Sequence, residues 1–132
     1  MLKDYDQKVS QNDLYALIRE GEHSEQDFKY RISDARKIAR TLSAFANTTG
    51  GRLLVGVRDN GSIAGVKDED DIYMLESASE VFLKPALKLE VWAHEIEGKN
   101  VWEIEITEGK EKPYQVDEID GLKAYYRDND QN

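Results

Sequence analysis

The chain has 132 residues, 39% of them hydrophobic and 34% charged, the balance of one globular domain with a single core. It has no cysteine, which excludes disulfides, thiolate metal sites and a thiol nucleophile, and no apolar run of membrane-spanning length. A formal net charge of −9 argues against indiscriminate nucleic-acid binding, because phosphate contacts need Lys and Arg.

The opening M-L-K-D-Y-D-Q-K lacks the basic start and apolar core of a secretory signal, so a cytoplasmic protein is expected. Ser10, with Asp13 three positions on, reads as the cap of a helix over 11–20 that carries Leu14, Leu17 and Ile18 and stops at Gly21. A strand over 27–29 follows, with Phe28 and Tyr30 on one face. Ser33 then caps a long helix to about 48, with Ala35, Ile38, Ala39, Leu42, Phe45 and Ala46 in one stripe. At 100° per residue Arg36, Arg40 and Asn47 fall on the opposite side, with Lys37 nearby, as a solvent-facing ridge.

Gly50 or Gly51 ends that helix, and 52–57 reads as a central strand, apolar on both faces. Asn60-Gly61 marks a hairpin returning antiparallel over 62–66. A second long helix is expected over 68–82, burying Ile72, Leu75, Ala78, Ser79 and Phe82, with Pro85 beyond it. Alternation over 87–96 and 101–107 gives a solvent-exposed meander with Glu103 and Glu105 outward; weaker strands fall at 114–116 and 122–126. The fold class is therefore α+β, a mixed, mostly antiparallel sheet packed by two long helices, in a single domain over 1–132 with its core at 11–127, alone or within a longer chain.

The order helix, Gly50-Gly51, strand opposes a phosphate loop, since it points the negative end of the helix at the glycines, and no G-K-[ST] follows. Glu22, Asp27 and Asp59 come from separate elements and could meet at one sheet edge around Mg²⁺ or Mn²⁺, which suits phosphodiester hydrolysis; Asp59 serves equally as a turn former. No serine has a nucleophile context, and His23 and His94, 71 positions apart and expected to be exposed, make no zinc motif. Of the aromatics that could stack bases, Trp102 falls with the core and Trp92 is the better surface candidate beside Tyr114, Tyr125 and Tyr126. Charge is uneven: seven basic residues (Lys29, Arg31, Arg36, Lys37, Arg40, Arg52, Arg58) and one acid, Asp34, lie between 29 and 58, giving +6 there and −15 elsewhere.

E-x4-D-F-K (Glu22, Asp27, Phe28, Lys29), A-F-A-N-T-x-G-G (44–51), L-L-V-G-V-x-D-x-G-x-I-x-G-V (53–66) and K-P-Y…Y-Y-R (112–114 and 125–127), in that order, resemble the Schlafen AlbA-type domain. This is the DNA-binding module of bacterial transcriptional-regulator-like proteins, of proteins described as ATP-binding, and of Schlafen proteins. The resemblance implies an α+β domain that binds nucleic acid. It also implies a metal-dependent endoribonuclease trio, Glu/Glu/Asp in some members, falling on Glu22, Asp27 and Asp59. The second position is Asp here, which retracts a ligand oxygen by ~1 Å. Schlafen cores pair two related lobes, so this single lobe is expected to form a homodimer.

The leading expectation is nucleic-acid binding, DNA or RNA, through Lys29, Arg36, Lys37, Arg40, Asn47, Arg52 and Arg58. The alternatives are a ribonuclease on structured RNA using Glu22, Asp27 and Asp59, and a dimerisation module that uses the meander.

Overall fold

The computed structural model describes residues 2–3, 11–67 and 70–132. In chain order they form β1 (Leu2–Lys3), α1 (Gln11–Glu20), β2 (Gln26–Lys29), α2 (Ala35–Asn47), β3 (Gly51–Val55), α3 (Asp71–Ser77) continued by a wider π turn (Ala78–Phe82), β4 (Leu83–Lys84), β5 (Glu90–Ile96), β6 (Lys99–Ile106), β7 (Gln115–Glu118) and β8 (Gly121–Ala124). A five-stranded sheet runs β1-β5-β6-β3-β2, and a small antiparallel sheet runs β4-β7-β8. The β1/β5 and β2/β3 pairs are parallel and the β3/β6 and β5/β6 pairs antiparallel. The fold is thus α+β with a mixed sheet; among the described residues α1 joins the two expected longer helices, α2 and the segment from α3 through the π turn. No helix of the described residues is long and apolar enough to cross a membrane. The expected cap Ser10 and the expected helix start Asp68 lie outside the described residues.

Sequence dictates α2 closely. The cap is Asp34 rather than Ser33: its carboxylate accepts from the amides of Arg36 (3.0 Å) and Lys37 (3.2 Å), two of the four donors that a helix start leaves open. The apolar stripe is buried as expected, against Leu53, Val55, Trp102, Ile104 and Ile106 of the sheet. At the far end Gly50 donates to the Phe45 carbonyl at 2.8 Å with φ +77°, and a Cβ there would lie 2.7 Å from the Ile106 carbonyl oxygen. At Gly51 a Cβ would lie 2.5 Å from the Phe45 ring. Both glycines are therefore required, one for the turn and one for the approach of helix to strand.

The expected exposed meander is overturned. The face of β5 and β6 opposite α2 is covered too: Leu14 and Ile18 of α1 pack with Phe28, Leu54, Val57, Ile63, Ile96 and Val101. Trp92, Glu103 and His94 on this face are all buried, so Trp92 is no surface platform and His94 is not exposed. Glu103 can be buried because it is paired, its carboxylate reaching His94 Nε2 at 2.9 Å and Arg52 Nε at 3.5 Å. Alternation alone does not distinguish a solvated face from a second core with a polar centre. The return strand expected over 62–66 reduces to one bridge, Val57 with Ile63.

Candidate functional site

The site forms where α1 ends and β2 and β3 finish side by side. Gly21, at φ +74°, stops α1. The Gln26 side chain then donates to the carbonyls of Leu17 (2.7 Å) and Gly21 (2.9 Å), satisfying acceptors that the helix end leaves open. This fixes the loop carrying Glu22. Phe28, on the outer edge of β2, donates its amide to Glu22 Oε2 at 3.1 Å. Parallel pairing of Lys29 with Val55, continued by Gly56 N–H to the Lys29 carbonyl at 2.8 Å, brings the end of β2 beside the turn that holds Asp59.

Glu22, Asp27 and Asp59 consequently line one open pocket of about 410 Å³, together with Lys29, Arg31, Lys37, Arg127 and Asp130. Asp27 is almost fully buried, and two cations flank its carboxylate: Lys29 Nζ at 3.2 Å and Arg127 Nη2 at 3.6 Å. A hydrogen bond with Asp27, aided by partial burial and by the charges of Asp27 and Asp59, pushes the Glu22 carboxyl up to about 7. A carboxyl set beside another carboxylate is raised in this way. Four bases and four acids face the pocket, so in a chain of net −9 it does not repel a phosphate.

Among the described residues, no three His, Asp or Glu side chains are placed to hold a metal ion. The donor chemistry nonetheless fits one. All three carboxyls supply hard oxygen, the donor that Mg²⁺ and Mn²⁺ take.

The seven residues expected to bind nucleic acid divide sharply. Lys29 and Lys37 line the pocket, and Arg58, which is exposed, lies with its guanidinium 5.4 Å from the centre of the Tyr30 ring. The other four are engaged inside the domain. Arg36 donates to the Asp117 carbonyl at 2.8 Å and stacks on Phe82. Arg40 binds both carboxylate oxygens of Glu118, at 2.7 and 2.9 Å. Arg52 donates to Gln26 at 2.7 Å and reaches Glu103. Asn47 is buried. The expected ridge is therefore only partly solvent-facing: Asn47 is buried, while Arg36 and the 41%-exposed Arg40 bond to Asp117 and Glu118 of β7, whose weak strand signal gave no indication of where it would dock.

Arg127 is the residue that sequence reasoning left without a role. Its side chain is 1% exposed, stacked on Phe45 at 4.6 Å, and it donates to the carbonyls of His23 (3.1 Å) and Gln26 (3.3 Å) as well as to Asn132 (2.7 Å). The only sign of it was its place in the Y-Y-R block.

A larger pocket, about 480 Å³, lies at the other end of β3 among Glu20, His23, Glu25, Arg52 and Glu105. Its acids outnumber its one arginine, which is already bonded, so it is the poorer phosphate site.

No curated protein matches the sequence. The chain is similar in structure to the N-terminal domain of an ATP-dependent DNA helicase RecG-related protein from Nitrosomonas europaea, with a TM-score of 0.60 and 22% identity over 90% of this chain and 88% of that one. It is also similar to the DIP2311 protein of Corynebacterium diphtheriae, with a TM-score of 0.56 and 21% identity over 76% of this chain; the match spans 22% of that protein. At these identities the likeness establishes a shared fold. The Schlafen AlbA_2 family model matches residues 22–132, a span that holds the whole carboxylate pocket, and the chain belongs to that family.

Proposed function

We propose that this domain binds nucleic acid at the carboxylate pocket, with Lys29, Arg31 and Lys37 meeting phosphates. The observation that carries this reading is the meeting of Glu22, Asp27 and Asp59 in one pocket rimmed by bases, in an otherwise acidic chain. Family membership and the helicase-related name of the Nitrosomonas relative agree with it. By analogy with two-lobed Schlafen cores, the working form is a homodimer.

A second reading, phosphodiester cleavage, is favoured by the Glu22–Asp27 pair. Glu22, Asp27 and Asp59 would hold Mg²⁺ or Mn²⁺. Such an ion, when bound, activates water and polarises a phosphoryl oxygen. The chain's own residues do the rest. Lys29 and Arg127 fix the Asp27 carboxylate, and Glu22, raised to about 7 without an ion, would give up its proton to serve as a ligand.

Salt titration of binding to single-stranded DNA, single-stranded RNA and a folded tRNA tests the first reading; no salt-sensitive binding to any of them rejects it. Incubation of tRNA with Mn²⁺ tests the second, and cleavage must disappear in Asp59→Asn.

A further inference from the structure

We propose that Tyr30 and Arg58 form a stacking subsite for an unpaired nucleobase beside the carboxylate pocket. The inference rests on the nucleic-acid reading and names its substrate class: a single-stranded or splayed segment rather than a closed duplex.

Tyr30 follows the last residue of β2, lines the pocket and is 46% exposed, so its ring is open to a ligand there. The Arg58 guanidinium lies over its ring at 5.4 Å. Both residues stand on fixed backbone. Gly56 N–H bonds the Lys29 carbonyl at 2.8 Å, while Arg58 exchanges backbone bonds with Ser62 (3.0 Å) and Gly61 (2.8 Å) across the turn. Each also adjoins a pocket residue in sequence, Tyr30 next to Lys29 and Arg58 next to Asp59. A chain whose phosphate sits among Lys29, Arg31 and Lys37 therefore presents its neighbouring base to an aromatic face backed by a cation. Stacking on that face is open to any base, but only to one not already stacked and paired within a helix.

Among the described residues no other exposed aromatic lines the pocket: Trp92, Trp102 and Tyr114 are buried, and Tyr73 and Tyr126, though exposed, do not line it.

The test uses the whole chain in EDTA with short single strands carrying 2-aminopurine at successive positions, beside their duplexes. Quenching is expected in the single strands and not in the duplexes. Tyr30→Ala should lose it and weaken binding roughly tenfold to a hundredfold, with the salt dependence unchanged. Tyr30→Phe and Tyr30→Trp should retain both. Tyr30→Ala binding and quenching like the parent protein would overturn the stacking subsite and leave the nucleic-acid reading standing. Absence of salt-sensitive binding by the parent protein would overturn both.

Discussion

Asn47 and Tyr114 clasp each other through both halves of an amide. Asn47 Oδ1 accepts the Tyr114 N–H at 2.7 Å, and Asn47 Nδ2 donates to the Tyr114 carbonyl at 2.8 Å. The same Nδ2 donates to the Tyr125 carbonyl at 2.9 Å. One side chain at the end of α2, with Ser43 Oγ beside it (2.7 Å to the Tyr114 carbonyl), thus satisfies backbone groups in both segments that flank the small sheet. This accounts for a buried asparagine on a face read from the sequence as solvent-facing.

Asn47→Ala should accordingly be among the most destabilising substitutions in the chain. Each buried group left unpaired costs about 1–3 kcal/mol, so a total of about 3 kcal/mol or more is expected by denaturant titration. Asn47→Asp keeps the acceptor and loses both donors, and should also destabilise. A change within about 0.5 kcal/mol in both variants would mean that the amide does not anchor the small sheet.

The pairing of Arg40 with Glu118 sets an acid limit on stability. The Arg40 guanidinium, with help from the Tyr125 hydroxyl, lowers the Glu118 carboxyl to about 2 from an ordinary value near 4.5. A carboxylate with a depressed folded value binds fewer protons when folded. Its contribution is therefore full above about pH 4.5 and fades as pH falls toward 2. Because the Arg40 side chain is 41% exposed, solvent screening holds this contribution to roughly 1–2 kcal/mol. Arg40→Gln should lower stability at neutral pH by that amount and converge with the parent protein near pH 2. Parallel pH profiles would refute the linkage.

How much was legible in the sequence follows from where each signal resides. The α2 stripe, the glycine pair and the β2 and β3 strands are encoded locally, by periodicity and by residues that only one backbone conformation suits, and they formed as read. The resemblance placed Glu22, Asp27 and Asp59 together, and they share a pocket. What the sequence could not convey was the second layer. Glu103 looks like a solvent residue because part of its compensation for burial comes from Arg52, 51 positions away, and His94 because its partner is Glu103 on the neighbouring strand. Arg36 and Arg40 look like phosphate ligands because Asp117 and Glu118 dock on them from a distant hairpin. A charge's partner is a tertiary fact.

That division yields a prediction about binding. Lys37→Ala and Arg31→Ala should each weaken nucleic-acid binding and reduce the slope of log affinity against log salt by about 0.7–0.9, the value of one lost phosphate contact. Arg36→Ala should leave the slope unchanged, since its guanidinium is occupied by the Asp117 carbonyl and the Phe82 ring. Equal slope changes in all three would restore the helix ridge as the binding face.

Arg127 supports the site from beneath, and its loss should be felt there and in the fold. Its guanidinium is enclosed by Phe45, two β2-side carbonyls, Asn132 and Asp27, so Arg127→Ala removes a buried cation and leaves Asp27 with Lys29 as its remaining cationic flank. Breaking such a buried pair costs about 3–5 kcal/mol. Arg127→Lys preserves the charge but not the planar fork that spans carbonyl and carboxylate together, and should recover only part of that stability. Full recovery by lysine, measured by thermal and denaturant unfolding, would mean that charge alone is required and that the guanidinium geometry plays no part in holding Asp27.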